Sequence, residues 1–373
     1  MGEKIIYLDT GATTSVRPEV IQAMLPYFNK YYGNPSSPHE LGEQAHRALL
    51  KARTELAQSI GAKPWEIIFT SGGTESNNLA IFGLANSNTS KNKIIISSIE
   101  HSSVWDACSA LKNKGYSVIE IPVNREGFVD IKTLESAIDR KTLLVSIIHG
   151  HNEIGVLQDI KKIGAICKLK GACFHTDAVQ SFGKEKIDIR EMHINMLSAS
   201  GHKIKGPKGT GLLFVKEDLK LEPIIIGGAQ EKGLRGGTEN IPGIIGFAKA
   251  VEISKKTERD KIRKIRDYFM HNLERIGAKI NGSKIERLYD NINASFPGMY
   301  AEHLVLALSQ RGIMCSTRSA CLSKQQKENR VLKALGLNKE EMQGSLRFGL
   351  DESITKKDVD FVVNQILKVI KEN

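Results

Sequence analysis

Between residues 65 and 215 the chain alternates short apolar runs with longer stretches whose apolar residues recur every three or four positions. The runs span 67–70, 94–97, 118–123, 143–149, 172–176, 194–199 and 212–215. Each has strand length, and the stretches between, such as 159–170, have helix periodicity. Several runs are apolar on both faces, as strands covered by helices on both sides require. Alternating strand and helix predicts an α/β body with a largely parallel sheet.

Beyond residue 240 the pattern changes. Residues 241–276 read as one long, charged helical stretch bridging two bodies, followed by a strand at 292–296 and a helix at 301–311. A last helix opens with the capping-box pair Thr355 and Asp358, and Val359, Val362, Ile366 and Val369 then mark its buried face. Near the start, Val16, Val20, Met24 and Phe28 mark a further amphipathic helix, a candidate to fold back onto the smaller body. The expected division is a large domain over 15–250 and a small α+β domain formed by 1–14 with 251–373. No fixed-period repeat is present, which excludes a solenoid.

Composition narrows the function classes. The 373 residues are 40% hydrophobic and 25% charged, ordinary for a soluble globular protein. No apolar run approaches the roughly 20 residues of a membrane span, and the N-terminus lacks a signal-peptide pattern. Five cysteines, an odd number, point to free thiols in a reducing compartment, so a cytoplasmic location is expected. No CxxC pair occurs and no metal site is expected. The net charge of +11 is spread widely; its densest stretch, 255–264, mixes acids with bases and reads as a solvated helix face. Direct nucleic-acid binding is not expected, because no binding motif accompanies the charge.

Four segments carry candidate chemistry. At 70–75 a strand runs through Ser71, Gly72, Gly73 and Thr74 into a helix, offering free N–H groups to a phosphate or forming an ordinary capped turn. Asp177 ends an apolar strand, at the sheet edge where ligands sit in open α/β folds, and equally suits a helix N-cap. Lys203 follows a strand inside a Ser- and Gly-rich turn, where burial can turn a lysine into a nucleophile. Lys205 and Lys208 share that loop, and local chemistry does not choose among the three. Cys321 leads into a polar, basic stretch; Arg318 and Lys324 would favour its thiolate. Cys108, Cys167, Cys173 and Cys315 read as buried core residues.

In this order, these segments resemble the cysteine desulfurases, fold-type-I pyridoxal-phosphate (PLP) enzymes of the class V aminotransferase group. The likeness runs through YLDTGATT, GNPSS, TSGGTESNN, EHSSV, HNEIGVLQD, HTDAVQ, HKIKGPKGTG, RGGTEN, SACLS and SLRFGL. It implies a mainly parallel seven-stranded sheet. Lys203 would carry PLP as a Schiff base, Asp177 would hold the pyridine nitrogen, and Gln180 the ring hydroxyl. His101 would stack on the ring and move protons, while Gly73, Thr74, Ser200 and His202 would bind the phosphate. Thr238 would reach that phosphate from the second subunit of a homodimer. Asn152 would face ring and substrate, and Arg347 would clamp the substrate carboxylate. Cys321 would take sulfur from L-cysteine, releasing L-alanine, and pass its persulfide to an acceptor protein of iron–sulfur assembly or tRNA thiolation. The alternative on the same scaffold is a selenocysteine lyase or another PLP lyase or aminotransferase. The chain departs from the family pattern at Thr10 (usually Asn), His151 (the first of two usual Asn) and Arg318 (usually Gly), and LSKQQKENR at 322–330 lacks the usual Pro-Ser-His character.

Overall fold

The alternating runs do form strands, and most of them are buried on both faces between two separate helical layers. In the computed structural model, which describes residues 5–88, 90–317 and 329–372, the chain begins with β1 (Ile6–Tyr7) and helices α1 (Pro18–Met24), α2 (Pro26–Asn29) and α3 (Glu40–Gln58). The large body continues through β2 (Ile67–Thr70), α4 (Gly73–Ser87), β3 (Lys93–Ser97), α5 (Ser102–Lys112) and β4 (Ser117–Ile121). It proceeds with α6 (Ile131–Ala137), β5 (Thr142–Ser146), α7 (Ile160–Lys170), β6 (Cys173–Asp177), β7 (Met196–Ser200), β8 (Gly211–Val215) and α8 (Ile241–Ser254).

These strands make a seven-stranded sheet in the order β2-β8-β7-β6-β5-β3-β4. Only β8 runs antiparallel to its neighbours β2 and β7. Ile67, Phe69, Val145 and Leu197 face one core, closed by α3 and α8; Ile68, Leu144 and Met196 face the other, closed by α4 and α5. The mainly parallel α/β architecture is as the pattern predicts.

A second body follows: α9 (Arg259–Arg275), β9 (Lys279–Ile280), β10 (Asn291–Ser295), α10 (Ala301–Ser309), β11 (Ile313–Met314), α11 (Arg330–Ala334), α12 (Lys339–Gln343), β12 (Ser345–Gly349) and α13 (Lys356–Glu372). Strands β12-β10-β9 form an antiparallel sheet, and β1 pairs in parallel with β11. Thr355 and Asp358 do form the capping box of α13.

Three details differ from expectation. The stretch 241–276 is two helices, broken at 255–258, because α8 buries its apolar face in the large core and α9 buries its own in the second. Pro26 splits the first amphipathic run into α1 and α2. Val20 is buried in the large core, where α1 packs on α8, and Phe28 is exposed. Cys173 is half-buried rather than fully buried.

Between the bodies, Lys184 meets Asp290 at 2.7 Å, and both side chains are under 10% exposed (6% and 8%). Lys184→Ala strands a buried carboxylate and is expected to lower stability by about 3–5 kcal/mol. A Lys184→Met/Asp290→Leu double variant is expected to recover most of it. Urea unfolding midpoints check both.

Candidate active site

Parallel strands present their carboxyl ends on one edge of the sheet, and the loops leaving that edge converge on a cavity of about 230 Å³. Strand β6 ends on Asp177, and β7 ends on Ser200, which leads through a tight turn to His202 and Lys203. Helix α4 begins at Gly73 and aims its first turn at the cavity. That approach needs glycine opposite, since a Cβ on Gly211 would lie 2.6 Å from the Gly72 Cα. His101 caps α5, and Asn152 lies in the turn after β5. The N-terminal segment adds Gly11 and Ala12, and β12 adds Arg347 from the second body.

Lys203 is half-buried, and its Nζ donates to the carbonyls of Gly11 and Ala12, both at 2.7 Å. Burial, helped by the nearby charges of Arg347 and Lys184, pulls its pKa down from 10.5 to about 7. Asp177 is 3% exposed. Its carboxylate accepts from Asn77 Nδ2 at 2.7 Å and from the Val179 N–H at 2.9 Å, with no ion pair among the described residues. Gln180 also donates to the Gly11 carbonyl, at 2.9 Å.

His101 Nδ1 accepts from the Ser103 N–H at 3.2 Å and lies 2.8 Å from the Ser103 hydroxyl. The neutral ring therefore carries its proton on Nε2. Burial draws this imidazole below its ordinary pKa, while Asp177 pulls the other way. Arg347 is 2% exposed. It donates to Asp9 at 2.7 Å and to the Asn152 carbonyl at 3.2 Å, leaving its buried Nε without a partner among the described residues. His202 Nδ1 lies 3.2 Å from Thr13 Oγ1, and burial pushes its pKa to about 4.

Nine expected residues line this one cavity: Gly73, Thr74, His101, Asn152, Asp177, Gln180, Ser200, His202 and Lys203; Arg347 makes a tenth. Thr238 does not line it and is exposed. Cys321, Arg318 and Lys324 lie outside the described residues. Asn77 and Ser103 also line the cavity without having been singled out; their signal was a polar side chain on an otherwise apolar helix face. Nor was the partnership of Asp9 with Arg347 foreseen. A larger open cleft of about 940 Å³ lies at the opposite strand ends, but two of its lysines are already paired, Lys63 with Glu217 and Lys216 with Asp218.

The lining suits PLP. Helix N–H groups, a hydroxyl and an imidazole can receive its phosphate. A buried carboxylate lacking a cation can hold a protonated ring nitrogen, and a near-neutral amine can meet its aldehyde. The orphaned Arg347 Nε remains for a carboxylate.

The class-V aminotransferase family model matches residues 6–362. The chain is 43% identical to the cysteine desulfurase IscS of Methanosarcina thermophila, covering 99% of this chain and 93% of that one. It is 41% identical to the enzyme of the same name from Dictyoglomus turgidum, covering 98% and 95%. Among solved structures, a NifS-like protein superposes with a TM-score of 0.94 at 34% identity, covering 99% of this chain and 100% of that one. SspA in complex with cysteine superposes with a TM-score of 0.85 at 37% identity, covering 93% and 99%. Matched along almost its whole length in sequence and in fold, the chain belongs to the class-V aminotransferase family and, within it, to the PLP-dependent cysteine desulfurases.

Proposed function

We propose that the protein takes the sulfur of L-cysteine, releases L-alanine and leaves a persulfide on Cys321. The observation that carries this reading is the half-buried Lys203 amine, which shares one cavity with the Asp177 carboxylate and the Arg347 guanidinium. PLP, bound through Lys203, supplies an electron sink for charge developing at the substrate α-carbon.

The chain's own groups do the rest. Asp177 keeps the ring nitrogen protonated, and Gln180 reaches the ring hydroxyl. The first turn of α4 at Gly73 and Thr74, with Ser200 and His202, holds the phosphate. Arg347 binds the substrate carboxylate beside Asn152, orienting the α-carbon over the site. Lys203, freed when the amino group of the substrate takes its place, would accept the α-proton as a neutral amine. His101, with its proton on Nε2, lines the same cavity and would face the ring and move protons. The Cys321 thiolate attacks the substrate sulfur, forming the S–S bond as the C–S bond breaks.

Thr238 is exposed on its own chain, which suits a role at the phosphate site of a second copy in a homodimer. An acceptor protein of iron–sulfur assembly or tRNA thiolation would collect the persulfide. Among the described residues no helix is long and apolar enough to cross a membrane.

Mass spectrometry after exposure to cysteine is expected to find one added sulfur atom on Cys321. Cys321→Ala is expected to stop sulfide release while the visible cofactor band stays; full activity in that variant would refute the assignment.

The second expectation concerns pH. A lysine lowered from 10.5 to about 7 is half neutral near pH 7, so its neutral fraction rises through that pH. Reductive methylation of cofactor-free protein at about pH 7.5 should modify Lys203 ahead of surface lysines. Labelling that keeps pace with the surface lysines would contradict the burial argument.

A further inference from the structure

The turn that presents His101 carries three successive backbone carbonyls, at Ser98, Ile99 and Glu100, outside any helix or strand. Ile99 and Glu100 are buried, so their carbonyls need donors. All three receive a side-chain donor. Arg330 gives Nη1 to Ser98 at 3.1 Å and Nη2 to Glu100 at 2.5 Å. His151 gives Nε2 to Ile99 at 2.7 Å. The direction of that bond is fixed, since His151 Nδ1 accepts from the Glu153 N–H at 3.0 Å and the Ile154 N–H at 3.3 Å.

The turn is held from its other sides as well. Inside, Glu100 Oε1 accepts from the Ser97 hydroxyl at 2.5 Å and the Ile148 N–H at 2.9 Å. Outside, the Arg330 guanidinium lies 4.8 Å from the centroid of the Trp105 ring, on the helix that His101 caps. Arg330 opens α11, whose Val331 and Leu332 pack with Ile99 and Ile148 in one small core. The preceding Asn329 caps α11 and donates to Glu153 Oε2 at 3.0 Å. The start of α11 therefore touches both turns that deliver cavity residues, the one before His101 and the one holding Asn152.

We propose that Arg330 and His151 are a pair of positioning residues that fix the Ser98–Glu100 turn and thereby aim His101 at the cavity. They stand 179 positions apart (330 − 151) and meet on adjacent carbonyls. A guanidinium can bridge two carbonyls two residues apart, which a lysine ammonium on a single point of attachment does poorly. Burial pushes His151 to about 3, so at physiological pH the ring stays neutral and Nδ1 goes on accepting while Nε2 donates. The consequence for turnover rests on the reading of His101 as a proton carrier.

The test uses the PLP-loaded protein and four variants: Arg330→Ala, Arg330→Lys, His151→Asn and the Arg330→Ala/His151→Asn double. Amide hydrogen exchange is followed over residues 98–105, alongside kcat and KM for sulfide release. In Arg330→Ala, the amides of Glu100, Val104 and Trp105 are expected to exchange faster while those of β6 and β7 keep their wild-type rates. The same variant should lose roughly 10- to 100-fold in kcat. Its KM should stay within about twofold, since the carboxylate clamp at Arg347 is untouched. Arg330→Lys should recover part of both losses, and it keeps the experiment decisive if the alanine variant folds poorly. The double variant should lose less than the product of the two single losses, because both act on one turn.

Unchanged exchange over 98–105 in Arg330→Ala overturns the proposal. So does faster exchange spread evenly through the chain, or strictly multiplicative losses in the double variant. Should the wild-type protein not turn over cysteine at all, the functional reading fails, and the exchange data still decide whether the turn is braced as described.

Discussion

An amine that meets only carbonyl oxygens among the described residues, under cover from solvent, is the constraint on which this structure turns. Lys203 can approach neutrality because Gly11 and Ala12 face it with dipoles rather than with a carboxylate. Those two carbonyls belong to the N-terminal segment, which must be laid across the sheet edge to reach the lysine. The second body holds it there. Strand β1 pairs with β11, and Asp9 bridges to Gly349 at the end of β12. The approach is so close that a Cβ on Gly349 would meet Thr10 Oγ1 at 2.4 Å. The smaller body is thus part of the environment of the lysine, although the lysine sits on the larger one.

The charges around the cavity follow the same logic. Arg347 and Lys184 both disfavour a charged Lys203, and each has its own acidic partner, Asp9 and Asp290. Lys205, two residues on, is drawn off to Asp351 and Glu352. Cations can then crowd the amine without each being left as an unpaired buried charge, which would be costly. The acids that neutralise them lie on segments from both ends of the chain.

Much of this was legible in the sequence where the information is local. Short apolar runs ending in Asp177 or in Ser198–Ser200 marked strand ends, and strand ends of a parallel sheet mark the site. The small residues at 71–74 marked a helix start. What depended on distant partners was not legible. Lys203, Lys205 and Lys208 are equivalent as neighbours in one loop. They part company because Lys205 takes a left-handed backbone (φ 63°) and turns to Asp351, and Lys208 is exposed. The Asp9–Arg347 pair spans 338 positions, beyond any pattern read along the chain. The helix break at 255–258 was hidden because both halves keep the same period and differ only in which core they address.

The shared acceptor at Gly11 has one more effect. Its carbonyl receives both Lys203 and Gln180, so engagement of the amine elsewhere would take away one donor and leave the other. Ala12 alone would have to find a replacement. The wall above the lysine would then keep its shape whether or not the amine is engaged, and a preformed cradle spares the protein the entropy of building one at each encounter.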